Sequence, residues 1–202
     1  MRIKRSFFVL TFTFAVAAIA AHADSFFSGT GTTGTGPGGT NVSYYVASGQ
    51  LGGTPRVQYV NAISDNATTG ILKFYTLGTA YLVTGAGHTT TNIGVASSSV
   101  SSNDVVLIRY MATDTYQRMQ VTTNSSTNIT FDAAVATTPI AGDIIYKTTL
   151  AGQILVGDAT VEKNANSGAI FNGQRNKPML VEIAGKGTNT VRLNVISGVV
   201  AN

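Results

Sequence analysis

The sequence has no cysteine and no tryptophan, and only 11% of its 202 residues are charged. Without cysteine there is no disulfide, no thiol nucleophile, no thiolate zinc site, no iron–sulfur ligation and no anchor for lipid attachment of the bacterial lipoprotein type. Stability must come from core burial and strand pairing. Without tryptophan, the ring platform that sugar-cleaving sites often use is missing. Histidine, the usual general base and metal ligand, occurs only as His22 and His88. No Gly-x-Ser-x-Gly elbow accompanies either one, so a serine triad has no local signature.

The chain starts with Arg2, Lys4 and Arg5, followed by an apolar and hydroxyl run over residues 6–21. Ala21-His22-Ala23 then has the small-x-small form that signal peptidase accepts. Residues 1–23 therefore read as a signal peptide cleaved between Ala23 and Asp24. About fifteen apolar residues fall short of the roughly twenty that span a bilayer, so no transmembrane segment is expected in the mature chain. The expected location is extracytoplasmic: secreted, periplasmic or cell-surface.

The formal charge of +4 is mostly a property of this leader. Removing its three bases leaves ten Lys and Arg against nine Asp and Glu, a net charge of about +1. Those ten are spread singly along the chain, which gives no footprint for phosphates. Nucleic acid is not an expected partner.

Residues 24–41 read as a flexible Gly/Thr-rich arm, because GTGTTGTGPGG over 29–39 has too little apolar surface to offset the entropy of ordering it. The tract matches G-x-G-x-x-G at Gly29, Gly31 and Gly34, and again at Gly34, Gly36 and Gly39. A dinucleotide site needs a strand before this pattern and a helix after it, and neither is present in the reading. No cofactor is expected.

Residues 42–202 read as one all-β domain. Short segments rich in Val, Ile, Tyr, Phe and Thr alternate with Gly, Asn, Asp and Ser clusters, and no window keeps helical periodicity. Strands are predicted over 42–47, 56–63, 71–76, 80–84, 105–112, 117–122, 128–131, 143–148, 153–161, 169–171, 179–184 and 191–196. Val57 and Tyr59 alternate with Gln58, as in a half-buried strand, whereas Val105-Val106-Leu107-Ile108 is apolar throughout and fits a strand covered on both faces. The fold class is therefore an antiparallel β-sandwich or barrel, with a jelly-roll-like arrangement among the options. Residues 84–102 read as a long surface loop with one strand-like core at 92–95.

Residues 105–110, 116–121, Asn128-Ile129-Thr130-Phe131 and Ala141-Gly142-Asp143-Ile144-Ile145-Tyr146 form a strand, a return strand, a third strand and a Gly-Asp turn. This run resembles the small β-barrel or β-sandwich modules of bacterial surface proteins and phage structural proteins. The resemblance implies a display or assembly role and carries no catalytic residue.

Two carboxylates across a cleft are the one catalytic arrangement this composition could supply. Glu162 and Glu182 are the candidates for such a hydrolase, since most aspartates sit beside Asn, Gly, Ser or Thr at strand ends as turn caps. His88 reads as a solvated loop side chain. For calcium, Asp65 with Asn66 and Asn103 with Asp104 are the pairs to inspect, without Asp-x-Asp-x-Asp spacing. No metal site is assigned. Asn41, Asn66, Asn124 and Asn128 open glycosylation sequons of the kind that chance supplies in a Ser/Thr-rich chain. Tyr110 and Tyr116 read as a cross-strand packing pair. The expected function is an exported, non-catalytic structural or surface-interaction protein, a homo-oligomer or cell-surface component, whose strand at Val42, Tyr44 and Tyr45 adds to the sheet edge of a neighbouring copy. A glycan-binding module and a two-carboxylate hydrolase are the alternatives.

Overall fold

A computed structural model of the chain describes residues 25–32, 44–47, 53–64, 70–85, 87–156, 161–164, 170–185 and 190–201. Among them there is no helix, and the strands are β1 (Ser25–Thr32), β2 (Tyr44–Ala47), β3 (Gly53–Ser64), β4 (Gly70–Leu82), β5 (Asn92–Gly94), β6 (Val105–Tyr110), β7 (Thr115–Ser125), β8 (Asn128–Phe131), β9 (Ile144–Val156), β10 (Val161–Asn164), β11 (Phe171–Asn172), β12 (Met179–Gly185) and β13 (Thr190–Ala201). All pairings are antiparallel, as the turn spacing predicts. A five-stranded sheet runs β1-β13-β3-β10, with β11 also on β3, and an eight-stranded sheet runs β2-β12-β4-β9-β6-β7-β8-β5.

Only the start of the stretch read as a flexible arm is described, and residues 33–41 lie outside the described residues. Residues 25–32 pair with β13, from Ser25↔Ser197 to Thr32↔Thr190, so the ladder supplies what the side chains lack. The cleavage site at Ala23 and Asp24 and the position of Val42 lie outside the described residues.

Strands β4 and β9 are each thirteen residues long and belong to two cores at once. At one end, Leu72 and Phe74 of β4 and Ile154 and Val156 of β9 join Met179, Val181 and Ile183 of β12 beneath Val57 and Val60 of the five-stranded sheet. Phe171 on β11 closes this sandwich: its ring stacks on Phe74 with centroids 4.4 Å apart. Gly152 lies opposite Phe74 in register, and a Cβ there would stand 2.1 Å from the Phe171 ring. The glycine leaves room for the ring.

At the other end the eight-stranded sheet closes on itself. Val83, just past β4, bridges Val95, just past β5, and Thr84 N–H and Ala96 N–H donate to the carbonyls of Gly94 and Leu82 at 3.0 and 3.1 Å. Tyr81, Ile145, Val106, Ile108, Met119, Val121, Ile129, Phe131 and Ile93 point inward from β4, β9, β6, β7, β8 and β5, so every strand of the ring contributes to one interior. Such closure leaves no edge within the ring. In the stretch 84–102, read as a long surface loop, the strand-like core at 92–95 is β5 with Val95, and it takes part in this closure.

Between the two ends, register shifts at Phe74/Tyr75 and Leu77/Ala80 mark bulges, and the Lys177 ammonium holds the Gly78 carbonyl at 2.7 Å. The sheet folds over here. Tyr75, Leu77, Leu107, Tyr146 and Leu180 bury on the face turned away from the five-stranded sheet, and Arg118 of β7 reaches Glu182 of β12 at 3.0 Å. In a flat sheet those two strands, with β4, β9 and β6 between them, would lie about 19 Å apart.

Candidate functional site

The β6–β7 hairpin turns through residues 111–114, and Asp114 takes a left-handed conformation at φ 50°. Its carboxylate fixes the turn by accepting from Arg109 at 2.8 Å, while that guanidinium lies 5.8 Å from the centre of the Tyr116 ring. The chain returning from β8 to β9 passes beside this hairpin. Asp143, almost fully buried, ties the two together: Met111 N–H donates to Oδ1 at 2.8 Å and Ile140 N–H to Oδ2 at 2.9 Å. The Tyr110 hydroxyl lies 2.6 Å from Gln117 Oε1 and 2.9 Å from the Thr137 carbonyl, and Gln117 Oε1 also accepts from Ala136 N–H.

These ties hold residues 136–140 off the hairpin and leave a cavity of about 440 Å³ between them, within the size range of small-molecule sites. Tyr110, Tyr116, Gln117, Thr115, Thr137 and Ile140 line it. Ile140 is 61% exposed at its rim, unusual for a residue of its size. Burial, only partly opposed by Arg109, raises the Tyr116 phenol above its ordinary range, so its hydroxyl stays a donor. The lining has no histidine or lysine, and its one carboxylate, on Asp143, is held by two backbone donors. Such a wall can hold a ligand through aromatic, hydroxyl and apolar contacts.

The residues singled out from sequence fall elsewhere. Tyr110 and Tyr116 are not a cross-strand pair, since register sets Tyr110 against Thr115 and Tyr116 against Arg109; they meet at the cavity. Tyr44 and Tyr45 lie in β2, paired with Glu182 and Val181 of their own chain, so that strand already occupies a sheet edge within the molecule. Glu182 points away from the five-stranded sheet, whereas Glu162 belongs to that sheet, on β10.

Glu182 is instead locked in an ion pair with Arg118, both side chains under 5% exposed. Arg118 Nη1 has no hydrogen-bond partner. Burial first, and then the Glu182 charge, holds the nearby Tyr75 phenol well above its ordinary range.

His88 is not a solvated side chain. Its Nδ1 accepts from Gly94 N–H at 3.1 Å, which assigns the proton to Nε2 facing the Thr84 carbonyl, so the ring staples the 84–94 segment. Asp104 caps Ser101 N–H at 2.8 Å and pairs with Lys147 at 3.0 Å, as a turn residue would. Asp65, Asn66 and Asn41 lie outside the described residues; Asn124 is exposed and Asn128 half-buried. Among the described residues no three of His, Cys, Asp and Glu are grouped to hold a metal. No helix there is long and apolar enough to cross a membrane, which says nothing of strands.

Asp132 is the acid that sequence reasoning missed. Both of its oxygens are shut off from solvent without a hydrogen-bond partner. Its carboxyl is raised above the usual range by burial, with Arg118 and nearby backbone N–H groups pulling the other way. Compared with protein-family models, curated proteins and solved structures, the chain matches none.

Proposed function

We propose that the chain is a non-catalytic interaction protein acting outside the cytoplasm, which holds its ligand at the barrel tip between the β6–β7 hairpin and residues 136–140. One observation carries this reading: the cavity has aromatic, hydroxyl and apolar walls, and its single carboxylate is already held by backbone donors. The leader-like start, the near-neutral remainder and the resemblance of residues 105–146 to surface and phage structural modules favour the same role.

The lining favours an uncharged ligand with hydroxyl groups, since Tyr and Thr can both stack on and hydrogen-bond to a sugar while nothing there offsets a ligand charge. A neutral glycan is therefore the first ligand class to try. Thr115 is exposed, so Thr115→Trp would fill the cavity without entering the core. The expected result on a glycan array is a signal for the unmodified chain that falls at least ~10-fold with Thr115→Trp, a loss of about 1.4 kcal/mol. No signal above background would end the glycan reading. A signal unchanged by Thr115→Trp would move the site elsewhere.

A further inference from the structure

The ring of strands has no edge, but β9 leaves it partway along its length. Ile144–Lys147 lies between β4 and β6, and from Thr149 to Val156 the strand pairs only with β4 among the described residues. Over that stretch residues 149–151, 153 and 155 are exposed. An unpaired edge of eight residues is a template for another strand, which proteins usually blunt with charge or proline. Here no charged residue and no proline occurs between Lys147 and Asp158.

The side chains on this edge are the second observation. Leu150 and Leu155 are 47% and 58% exposed. Five residues apart, they would normally point to opposite faces. The register shift at Phe74/Tyr75, which leaves Ala151 without a partner on β4, moves them to one face: Leu150 lies opposite Tyr75 and Leu155 opposite Ile71, both on the side turned away from the five-stranded sheet.

We propose that β9 pairs antiparallel with β9 of a second copy along residues 149–156, joining two eight-stranded sheets across a two-fold axis. With Ala151 bulged out of the ladder, the two leucines are placed symmetrically about Gln153. A two-fold axis perpendicular to the sheet keeps faces matched, so Leu150 of each copy lies against Leu155 of the other, twice over. An uncharged edge carries nothing to select a foreign strand, whereas this spacing is complementary to itself. The contact is separate from the cavity, and its test does not depend on finding a ligand. One strand pair with four leucines sits at the small end of specific interfaces, roughly 1,200 Å² or less, so the dimer should dissociate on dilution.

Sedimentation equilibrium of the mature chain over a wide concentration range tests this. The expected result is a mass rising from monomer towards twice that value. The double variant Leu150→Lys/Leu155→Lys, with both changes at exposed positions, should stay monomeric with an unchanged thermal midpoint. The variant Leu150→Lys/Leu155→Glu should dimerise again, because the proposed register sets each introduced ammonium against an introduced carboxylate of the other copy. A mass that stays monomeric throughout for the unmodified chain overturns the proposal. So does a dimer that survives the two-lysine variant, or a Lys/Glu variant that folds yet fails to associate.

Discussion

The same two strands, β4 and β9, end in a barrel on one side and in a sandwich on the other. At the barrel end, Tyr81, Val83 and Ile145 face an interior to which all the strands of the ring contribute, and the connecting segments are tied by His88, Asp104, Asp143 and Tyr110. At the sandwich end, Leu72, Phe74, Ile154 and Val156 face Val57 and Val60 of a second sheet, and Phe171, seated over Gly152, closes the seam. The contrast is one of edges. The barrel has used its own, and in the sandwich the outer side of β9 has no strand partner among the described residues.

What joins the halves is the folded-over face with Arg118 and Glu182 in it, and the largest expected effect lies there. Arg118→Met would leave Glu182 buried without a counter-charge, at a cost of about 3–5 kcal/mol in urea denaturation. Replacing both, Arg118→Met with Glu182→Leu, should recover most of that loss, because two apolar side chains need no partner. A cost under about 1 kcal/mol for the single change would mean that the halves are held together by the surrounding apolar contacts alone.

A smaller effect belongs to the barrel. Asp132 has a raised pKa in the folded chain, so the folded state holds its proton more tightly than the unfolded state does. Stability is then lost as pH rises from the ordinary aspartate range through the raised value, and the penalty is complete above it. Asp132→Asn should therefore raise the thermal midpoint at neutral pH, with the gain shrinking as pH falls below the ordinary aspartate range. An asparagine variant that is less stable at neutral pH would contradict this sign.

The fold class was legible because alternation within β3, as in Val57-Gln58-Tyr59, survives in side-chain chemistry alone. Strand lengths were not. Gly78-Thr79 and Ala151-Gly152 read as breaks, dividing β4 and β9 into two predicted strands each, but they are bulges inside continuous ladders. For β1 the reverse holds, since a Gly/Thr composition gives no apolar signal and only its partner β13 defines the strand. The aspartates expected to cap turns do so at Asp104 and Asp143, through contacts within a few residues. The cavity was out of reach because its walls come from a hairpin tip and a distant connection held by backbone donors. Arg118 left only a faint trace, a charge set beside Met119 and Val121, and nothing local to either residue links it to Glu182.

Amide hydrogen exchange tests the closed-against-open contrast most directly. Thr84 N–H and Ala96 N–H, which close the barrel, should exchange as slowly as the β6–β7 ladder, and amides on the side of β9 away from β4 should exchange fast at concentrations where the chain is monomeric. Thr84 and Ala96 exchanging as fast as exposed loop amides would contradict it.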